Sequence, residues 1–229
     1  MTLDGTNTWV LPGSDGAVVI DPGQAEPAAH LEDVLAAVPS VALVLVTHGH
    51  HDHVELAAAL AERTGAPVRA ADPAHCVGAP ALRDGETIAA GDVSLRVLAT
   101  PGHTSDSVCF VHPDGVFTGD TILGRGTTVV AHPDGALGPY LASLRALQAL
   151  GDLTVHPGHG PTLPSVADVA AQYLEHREQR LEQVRAALRE LGPDASARQV
   201  VELVYADVDP AVWWAAELSV AAQLDYLLE

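Results

Sequence analysis

The sequence predicts an α/β fold built on a mixed sheet, with a helical region at its C-terminal end. Short β-like runs closed by turn residues, such as 8–11 and 17–20, alternate with helical patterns over the first part of the chain. Residues 41–46 are apolar throughout, which is typical of a strand buried on both faces, so helices should cover both sides of the sheet. From residue 166 onward the pattern is helical only.

The individual elements are predicted from apolar spacing and turn residues. A helix is expected from about residue 26 to residue 38, and a second helix, rich in Ala, Leu and Glu, at 54–63. Residues 86–98 predict two strands that turn at Gly91-Asp92. The remaining strands are expected at 67–70, 107–112 and 115–118. Strands that alternate with helices and are followed by further strands are typical of an α/β fold with a mixed sheet.

The C-terminal part predicts three helices. The first is long, charged and amphipathic, spans 166–191 and is stopped by Gly192-Pro193. Ser196 is expected to cap a short helix that ends near Tyr205, and the last helix should span 211–228. These helices form either a separate lobe or a layer packed on the α/β body.

Composition and charge narrow the possible partners. Among 229 residues, 30 are acidic and 11 are basic, which gives a formal net charge of -19, and every basic residue is arginine. A broad surface for nucleic acid or another polyanion is therefore disfavoured. No apolar run approaches the roughly 20 residues of a membrane helix and no leader segment is evident, so we expect a soluble, cytoplasmic protein. Cys76 and Cys109 are expected to be buried free thiols.

Histidines point to a metal site. Residues 48–53 hold four imidazoles and a carboxylate between a predicted strand and a predicted helix. His48 and His50 should project to the same side of an extended backbone and chelate one ion, whereas Asp52 and His53 point elsewhere and suit a second ion. The alternative is a solvated histidine-rich loop. It is disfavoured because such tracts lack the flanking strand and helix and the interposed aspartate.

Residues 47–53 resemble the T-H-x-H-x-D-H signature of the metallo-β-lactamase superfamily, which also follows a buried strand. The other motifs of that family occur in order, and together they cover most of the chain. They are Ile-Asp-Pro-Gly at 20–23, Thr-Pro-Gly-His-Thr at 100–104, Phe-Thr-Gly-Asp at 117–120 and Val-His-Pro-Gly-His-Gly-Pro at 155–161. The resemblance implies a metallo-β-lactamase αβ/βα sandwich over residues 1–164 and a small helical, winged-helix-like lobe over 165–229.

The resemblance also implies a dinuclear metal centre. The implied ligands are His48, His50 and His103 for one cation, Asp52, His53 and His159 for the other, and Asp120 as the bridge. Nitrogen and oxygen donors without thiolate suit two Zn²⁺ ions and also permit Mn²⁺ or Fe. Two ions about 3.5–4 Å apart would hold a bridging hydroxide for hydrolysis. Asp52 and Asp120 are the expected catalytic residues, which would orient that hydroxide and accept its proton.

Five further residues are expected to support this centre. Asp21, Thr47 and Thr104 should hydrogen-bond the outer nitrogens of ligand histidines and fix their tautomers. Arg125, in the turn after the bridging aspartate, is placed to meet an anionic substrate, although a surface arginine is as good an interpretation. His51 is a candidate substrate contact, with a solvent-facing imidazole as the alternative.

Residues 5–9, 119–128, and 158–161 leading to 176–180 resemble the β-lactamase-like-protein-2 group of the superfamily. Members of that group carry a winged-helix-like lobe, and the best-known member is a single-strand endoribonuclease. Glyoxalase II and fungal polyketide thioesterases are neighbours that hydrolyse thioesters. Relative to these proteins we expect the first strand and the wing strands to be missing here. A true β-lactamase is disfavoured, because that branch has no aspartate at the position of Asp120.

The expected function is hydrolysis of a small acyl compound, namely a thioester, ester or lactone, at the dinuclear centre. A glutathione thioester is a poor candidate because the chain has no lysine to bind it. The alternative is a single-strand endoribonuclease, which the negative charge disfavours unless Arg125, Arg177 and Arg180 form a local groove. A metal-dependent binding module without activity is disfavoured further, because structural zinc sites are usually mononuclear. A homodimer is possible.

Overall fold

The computed structural model describes residues 5–26, 29–207 and 209–228, and two sheets form its centre. The first sheet has the strand order β1-β2-β3-β4, in which only the β1 pairing is antiparallel. The second has the order β5-β6-β7-β8-β9, in which only β8 and β9 are parallel. The strands are β1 (Trp9–Leu11), β2 (Ala17–Ile20), β3 (Val41–Leu45), β4 (Val68–Arg69), β5 (Thr87–Ala90), β6 (Val93–Ala99), β7 (Val108–His112), β8 (Gly115–Gly119) and β9 (Thr154–Pro157).

Helices cover both outer faces of the sheets. They are α1 (His30–Ala37), α2 (His51–Val54), α3 (Ala57–Thr64), α4 (Leu137–Gln148), α5 (Val166–Leu191), α6 (Ala197–Val204) and α7 (Trp213–Leu228). Short 3-10 turns lie at Pro73–His75 and Pro210–Val212. The predicted mixed α/β architecture is confirmed. Within the described ranges, no helix is both long enough and apolar enough to span a bilayer.

Strand alternation produces the layers. In β2, the side chains of Val18 and Ile20 point inward and pack against the second sheet, including Phe110. The intervening Val19 points outward and packs with Leu60 of α3. On the other side, α4 and α5 cover the second sheet with a separate cluster of buried apolar residues. The first sheet is therefore buried on both faces at β2 and β3, which is why the run at 41–46 contains no polar residue.

The predicted helices differ from the structure in three respects. The helix expected at 54–63 begins earlier, at His51, and restarts at Ala57, so Asp52 and His53 already lie on a helical turn. Helix α4 was not predicted, because Gly138 and Pro139 in its first turn have low helix propensity and are typical of a loop. The helix expected from residue 26 begins at His30, and residues 27 and 28 lie outside the described ranges.

Helix α5 packs against the sheet layer with its first half and against the C-terminal helices with its second half. Its first half packs on α4 through Val166, Val169 and Tyr173. Its second half forms a small cluster with α6 and α7 around Val184 and Val200. The predicted cap at Ser196 is present and forms a full capping box with Gln199. The boundary at 164/165 and the winged-helix description stay predictions, and no strand follows β9 in the described residues.

The predicted thiols differ in burial. Both Cys76 and Cys109 are free, and Cys109 is fully buried, whereas Cys76 is only partly buried.

Gly102 is expected to tolerate no side chain. Its φ is +137°, and a Cβ there would lie 2.4 Å from the Cα of Tyr140. Gly102→Ala should therefore lower the free energy of unfolding by about 2–4 kcal/mol through backbone strain and overpacking. The control is Gly65→Ala, where φ is +75° but the space is open, so about 1 kcal/mol is expected. Urea denaturation of both variants measures the difference, and equal losses would refute the close-packing argument.

Candidate metal centre

The candidate site lies where five strands end. Asp21 follows β2, His48 follows β3, His103 follows β6, Asp120 follows β8 and His159 follows β9. Because strands from both sheets end at the same edge of the sandwich, residues far apart in sequence converge there. Rigid strand ends hold the side chains in place, while the loops after them provide the turns.

The first cluster joins three imidazoles and a carboxylate. The Nε2 of His48 lies 3.0 Å from the Nδ1 of His50, which lies 3.0 Å from the Nε2 of His103. The Oδ2 of Asp120 is 3.7 Å from the same His103 nitrogen. His48 is buried, whereas His50 is exposed, so the cluster opens to solvent at His50.

The second cluster contains Asp52, His53 and His159. The Nε2 of His159 lies 3.3 Å from the Oδ2 of Asp52 and 3.4 Å from the Nε2 of His53. Asp120 adjoins this cluster too, since its Oδ1 is 3.4 Å from His53 Nε2 and its Oδ2 is 3.4 Å from His159 Nε2. The structure thus brings all seven predicted ligands together, with Asp120 between the two groups.

Asp21 and Thr47 fix two of the imidazoles. The carboxylate of Asp21 accepts hydrogen bonds of 2.7 Å from the Thr47 backbone N–H and from its hydroxyl. Because that hydroxyl donates to Asp21, it accepts from the Nδ1 of His48 at 3.0 Å. The Nδ1 of His53 donates to Asp21 at 2.8 Å. Both imidazoles therefore turn an Nε2 lone pair toward the clusters.

Backbone carbonyls fix the orientation of two more imidazoles. The Nδ1 of His103 donates to the carbonyl of Val129 at 2.8 Å, and the Nδ1 of His159 donates to the carbonyl of Gly5 at 2.9 Å. The prediction that Thr104 holds a ligand histidine is wrong. The Thr104 hydroxyl lies 2.6 Å from the hydroxyl of Ser107 and closes the loop instead. The carbonyl of Val129 therefore holds His103, where a threonine hydroxyl was expected.

The pKa values of the histidines are shifted in opposite directions in the two clusters. Burial lowers the pKa of His48 well below its usual value, and the neighbouring His53 lowers it further. Burial also disfavours the charged form of His53, but Asp21 and Asp120 outweigh it and raise the pKa of His53 to about 10. His48 is therefore neutral and His53 holds a proton that a cation can replace.

The carboxylates stay ionised despite their burial. Burial alone would raise the pKa of Asp120, but His159 and His53 hold it well below its usual range. The pKa of Asp52 is lowered in the same way, mainly by its hydrogen bond with His159. Burial of His159 is likewise outweighed by Asp120 and Asp52, which raise its pKa to about 10. The second cluster thus favours positive charge.

The residues fit two divalent cations. The Oδ1 of Asp120 is buried and has no hydrogen-bond partner among the described residues. The Nε2 lone pairs of His48 and His103 both face the Nδ1 of His50, which lies 3.0 Å from each. Five imidazoles and two carboxylates form a nitrogen and oxygen donor set that suits Zn²⁺, Mn²⁺ or Fe. Gly158 leaves the necessary room, because a Cβ there would lie 2.5 Å from that same Asp120 oxygen.

Residues near the N-terminus also support the site, although they were not among the predicted site residues. The Thr6 hydroxyl donates to Asp52 at 3.0 Å. The Asn7 amide donates to the carbonyls of Pro157 at 3.0 Å and Gly160 at 2.8 Å, on both sides of His159. The indole of Trp9 also donates to Pro157 at 3.0 Å. The sequence signal for this support is the polar Thr-Asn-Thr run directly before the first strand.

The predicted substrate contacts lie in different surroundings. Arg125 is exposed, and the preceding Gly124 donates its N–H to the carbonyl of His159 at 2.8 Å, so this turn borders the second cluster. The side chain of His51 is 71% exposed, pairs with Glu55 at 3.1 Å and lies outside both clusters. The structure therefore places the turn that carries Arg125 next to the backbone of His159, whereas His51 belongs to neither cluster.

Arg177 is not available to the local arginine groove that the RNA alternative requires. Arg177 is buried and donates to the carbonyl of Thr128. Arg180 lies over the ring of Tyr205 at 4.9 Å. Arg177 therefore cannot contact RNA together with Arg125 and Arg180, because its guanidinium is used inside the protein.

Comparison with known proteins finds similarity along most of the chain. The sequence model of the metallo-beta-lactamase superfamily matches residues 1–159. A beta-lactamase-like protein 2 homolog from Caenorhabditis elegans is 32% identical, over 94% of this chain and 76% of the relative. An atrochrysone carboxyl ACP thioesterase from Aspergillus fumigatus is 33% identical, over 83% of this chain and 62% of the relative. The crystal structure of a beta-lactamase domain protein from Burkholderia ambifaria has a TM-score of 0.81 and 25% identity, over 97% of this chain and 81% of its own. These matches confirm the predicted two-sheet fold.

Cation binding should release protons. His53 and His159 carry protons that they must lose to offer their Nε2 atoms, because burial is outweighed by carboxylates that raise both pKa values to about 10. Near pH 7 we expect about two protons to be released per protein as the centre fills with Zn²⁺, and the affinity should rise with pH as these protons become easier to remove. Calorimetry in buffers of different ionisation enthalpy measures this number. A binding enthalpy that is independent of the buffer would contradict the assignment.

Proposed function

The chain belongs to the metallo-beta-lactamase superfamily, and from this premise we propose that it is a dinuclear metal-dependent hydrolase. One observation carries the proposal. Lone pairs and carboxylates of seven side chains converge in two clusters, and both clusters adjoin Asp120. We assign one cation to His48, His50 and His103 and the other to Asp52, His53 and His159, with Asp120 shared. Zinc is the proposed metal, and manganese or iron fits the same donors.

The chemistry follows from the placement of these groups. Two bound cations would supply an activated water and polarise the substrate carbonyl. Asp120, kept ionised by His159 and His53 against its burial, is placed to accept the proton of the attacking water. Asp52 accepts a hydrogen bond from Thr6 and is partly exposed, so it is placed to orient that water. No side chain is required as a nucleophile.

A small acyl compound is the proposed substrate. A thioester, ester or lactone presents a carbonyl without requiring a large positive surface, which this chain lacks at a net charge of -19. The Aspergillus relative is named a thioesterase, which supports the same class. The alternative, a single-strand endoribonuclease, rests on the β-lactamase-like-protein-2 resemblance and is disfavoured by charge and by the burial of Arg177. A cytoplasmic location and a homodimer stay predictions from sequence.

Asp120→Asn tests the mechanism. The amide keeps the size of the side chain but loses its charge and its capacity to accept a proton. We expect kcat/KM for acyl thioesters to fall by about 10²- to 10⁴-fold, together with a loss of bound metal. The exposed Asp194 offers a matched control, since Asp194→Asn makes the same chemical change far from the strand ends. Metal content is measured by atomic emission, and activity of Asp120→Asn at the wild-type level would rule the mechanism out.

The same two proteins separate the substrate classes. Wild type and Asp120→Asn should be assayed in parallel on acyl thioesters, lactones and a short unstructured RNA. We expect acyl hydrolysis that the variant loses, with the RNA left intact. RNA cleavage that the variant loses would establish the nuclease instead.

Arg125→Ala tests whether this arginine recognises an anionic group. We expect KM to rise several-fold, by about 1 kcal/mol of lost binding, for acyl substrates with a carboxylate and to stay unchanged for neutral esters. Steady-state kinetics on such a matched pair measures the difference. An equal change in KM for both substrates would show that Arg125 does not recognise an anionic group and is an ordinary surface residue.

A further inference from the structure

A buried polar face of α5 borders the loop that carries Asp120. Tyr173 and Arg177 lie one helical turn apart, and both are more than nine-tenths buried. We propose that Arg177 is a positioning residue for the metal centre, because it fixes the loop of residues 120–128. This inference rests on the proposed function, since it assigns a role in holding the shared ligand.

Two hydrogen bonds connect Arg177 to Asp120. The guanidinium donates through Nη2 to the carbonyl of Thr128. The hydroxyl of Thr128 donates to the backbone carbonyl of Asp120. A shift of the guanidinium would therefore release Thr128, and through it the backbone from which the Asp120 carboxylate projects.

Tyrosine hydroxyls hold the same loop. The Tyr173 hydroxyl accepts from the N–H of Leu123 at 3.0 Å and lies 3.0 Å from the carbonyl of Gly126. The Tyr140 hydroxyl donates to the carbonyl of Thr121 at 2.8 Å. Arg177 thus acts within a set of buried donors that satisfies the carbonyls of the loop. Irregular backbone can be buried only where such partners exist.

Packing alone does not explain an arginine at this position. Arg177 forms no ion pair with a carboxylate within the described ranges, and its Nε has no hydrogen-bond partner there. Its guanidinium lies 5.1 Å from the centre of the Tyr140 ring. A buried cation without a carboxylate is costly, and an apolar side chain of similar length would fill the space. An apolar residue would lack the guanidinium N–H that donates to the carbonyl of Thr128.

The consequence is that the candidate centre extends across the predicted boundary at 164/165. Its ligands lie between residues 48 and 159, whereas Arg177 belongs to α5, the helix that continues into the C-terminal cluster. Anything that displaces α5 would therefore change the position of Asp120.

Arg177→Met tests the inference because it keeps the length of the side chain and removes the donors. Zinc affinity should be measured by chelator competition, and the centre should also be loaded with Co²⁺ and its visible absorption spectrum recorded. We expect at least one of the two cations to bind about 10- to 100-fold more weakly, which is the typical effect of changing a residue that positions a metal ligand. The Co²⁺ spectrum should change shape, and Arg177→Lys should recover part of the affinity.

Arg180→Met is the matched control. It removes an arginine from the same helix that also lies over a tyrosine ring, at 4.9 Å from Tyr205, but does not contact the loop. Its affinity and spectrum should equal those of wild type. If Arg177→Met fails to fold, Thr128→Val replaces it, because this change removes only the hydroxyl that reaches Asp120.

The outcomes separate this inference from the proposed function. A wild-type protein that does not bind two cations would refute the dinuclear centre itself. Wild type with two cations, together with folded Arg177→Met or Thr128→Val that binds them equally well and with the same spectrum, would overturn the positioning role alone.

Discussion

The Nε2 lone pairs of His48 and His103 converge on the Nδ1 of His50, 3.0 Å from each, and this convergence governs the arrangement of the candidate centre. Four of the five clustered imidazoles have their Nδ1 atoms committed to hydrogen bonds outside the clusters, so their Nε2 atoms are directed inward. A proton or a metal cation must lie between nitrogen lone pairs that converge so closely. The carboxylates of Asp52 and Asp120 favour positive charge at the same place, so the fold stabilises a cationic occupant.

The strand ends and the residues behind them hold this arrangement in place. Asp21 connects the ends of β2 and β3, because its carboxylate binds Thr47 and His53 at once. The N-terminal segment binds the loop around His159 through Asn7. On the opposite side, α5 supports the loop that follows Asp120. The centre is therefore a product of both sheets and of the C-terminal helices, rather than of the histidine motif alone.

Local patterns predicted the strands and the metal-binding cluster at 48–53, and the family resemblance implied the other ligands, but neither could predict hydrogen bonds between distant segments. The all-apolar run at 41–46 and the histidines after it are visible in sequence because burial and metal chemistry dictate residue type. Helix α4 was missed because Gly138 and Pro139 disguise its first turn, although its apolar residues recur at helical spacing. Thr104 was assigned to a histidine that a Val129 carbonyl holds. Arg177 resembled a surface cation, since nothing local shows that its helix packs on the loop after Asp120.

Anomalous X-ray diffraction at the zinc edge, on crystals of the protein loaded with zinc, tests the dinuclear centre most directly. The account predicts two peaks, one among His48, His50 and His103 and one among Asp52, His53 and His159, with oxygen atoms of Asp120 in contact with both. A single peak, or a peak outside these clusters, would contradict it.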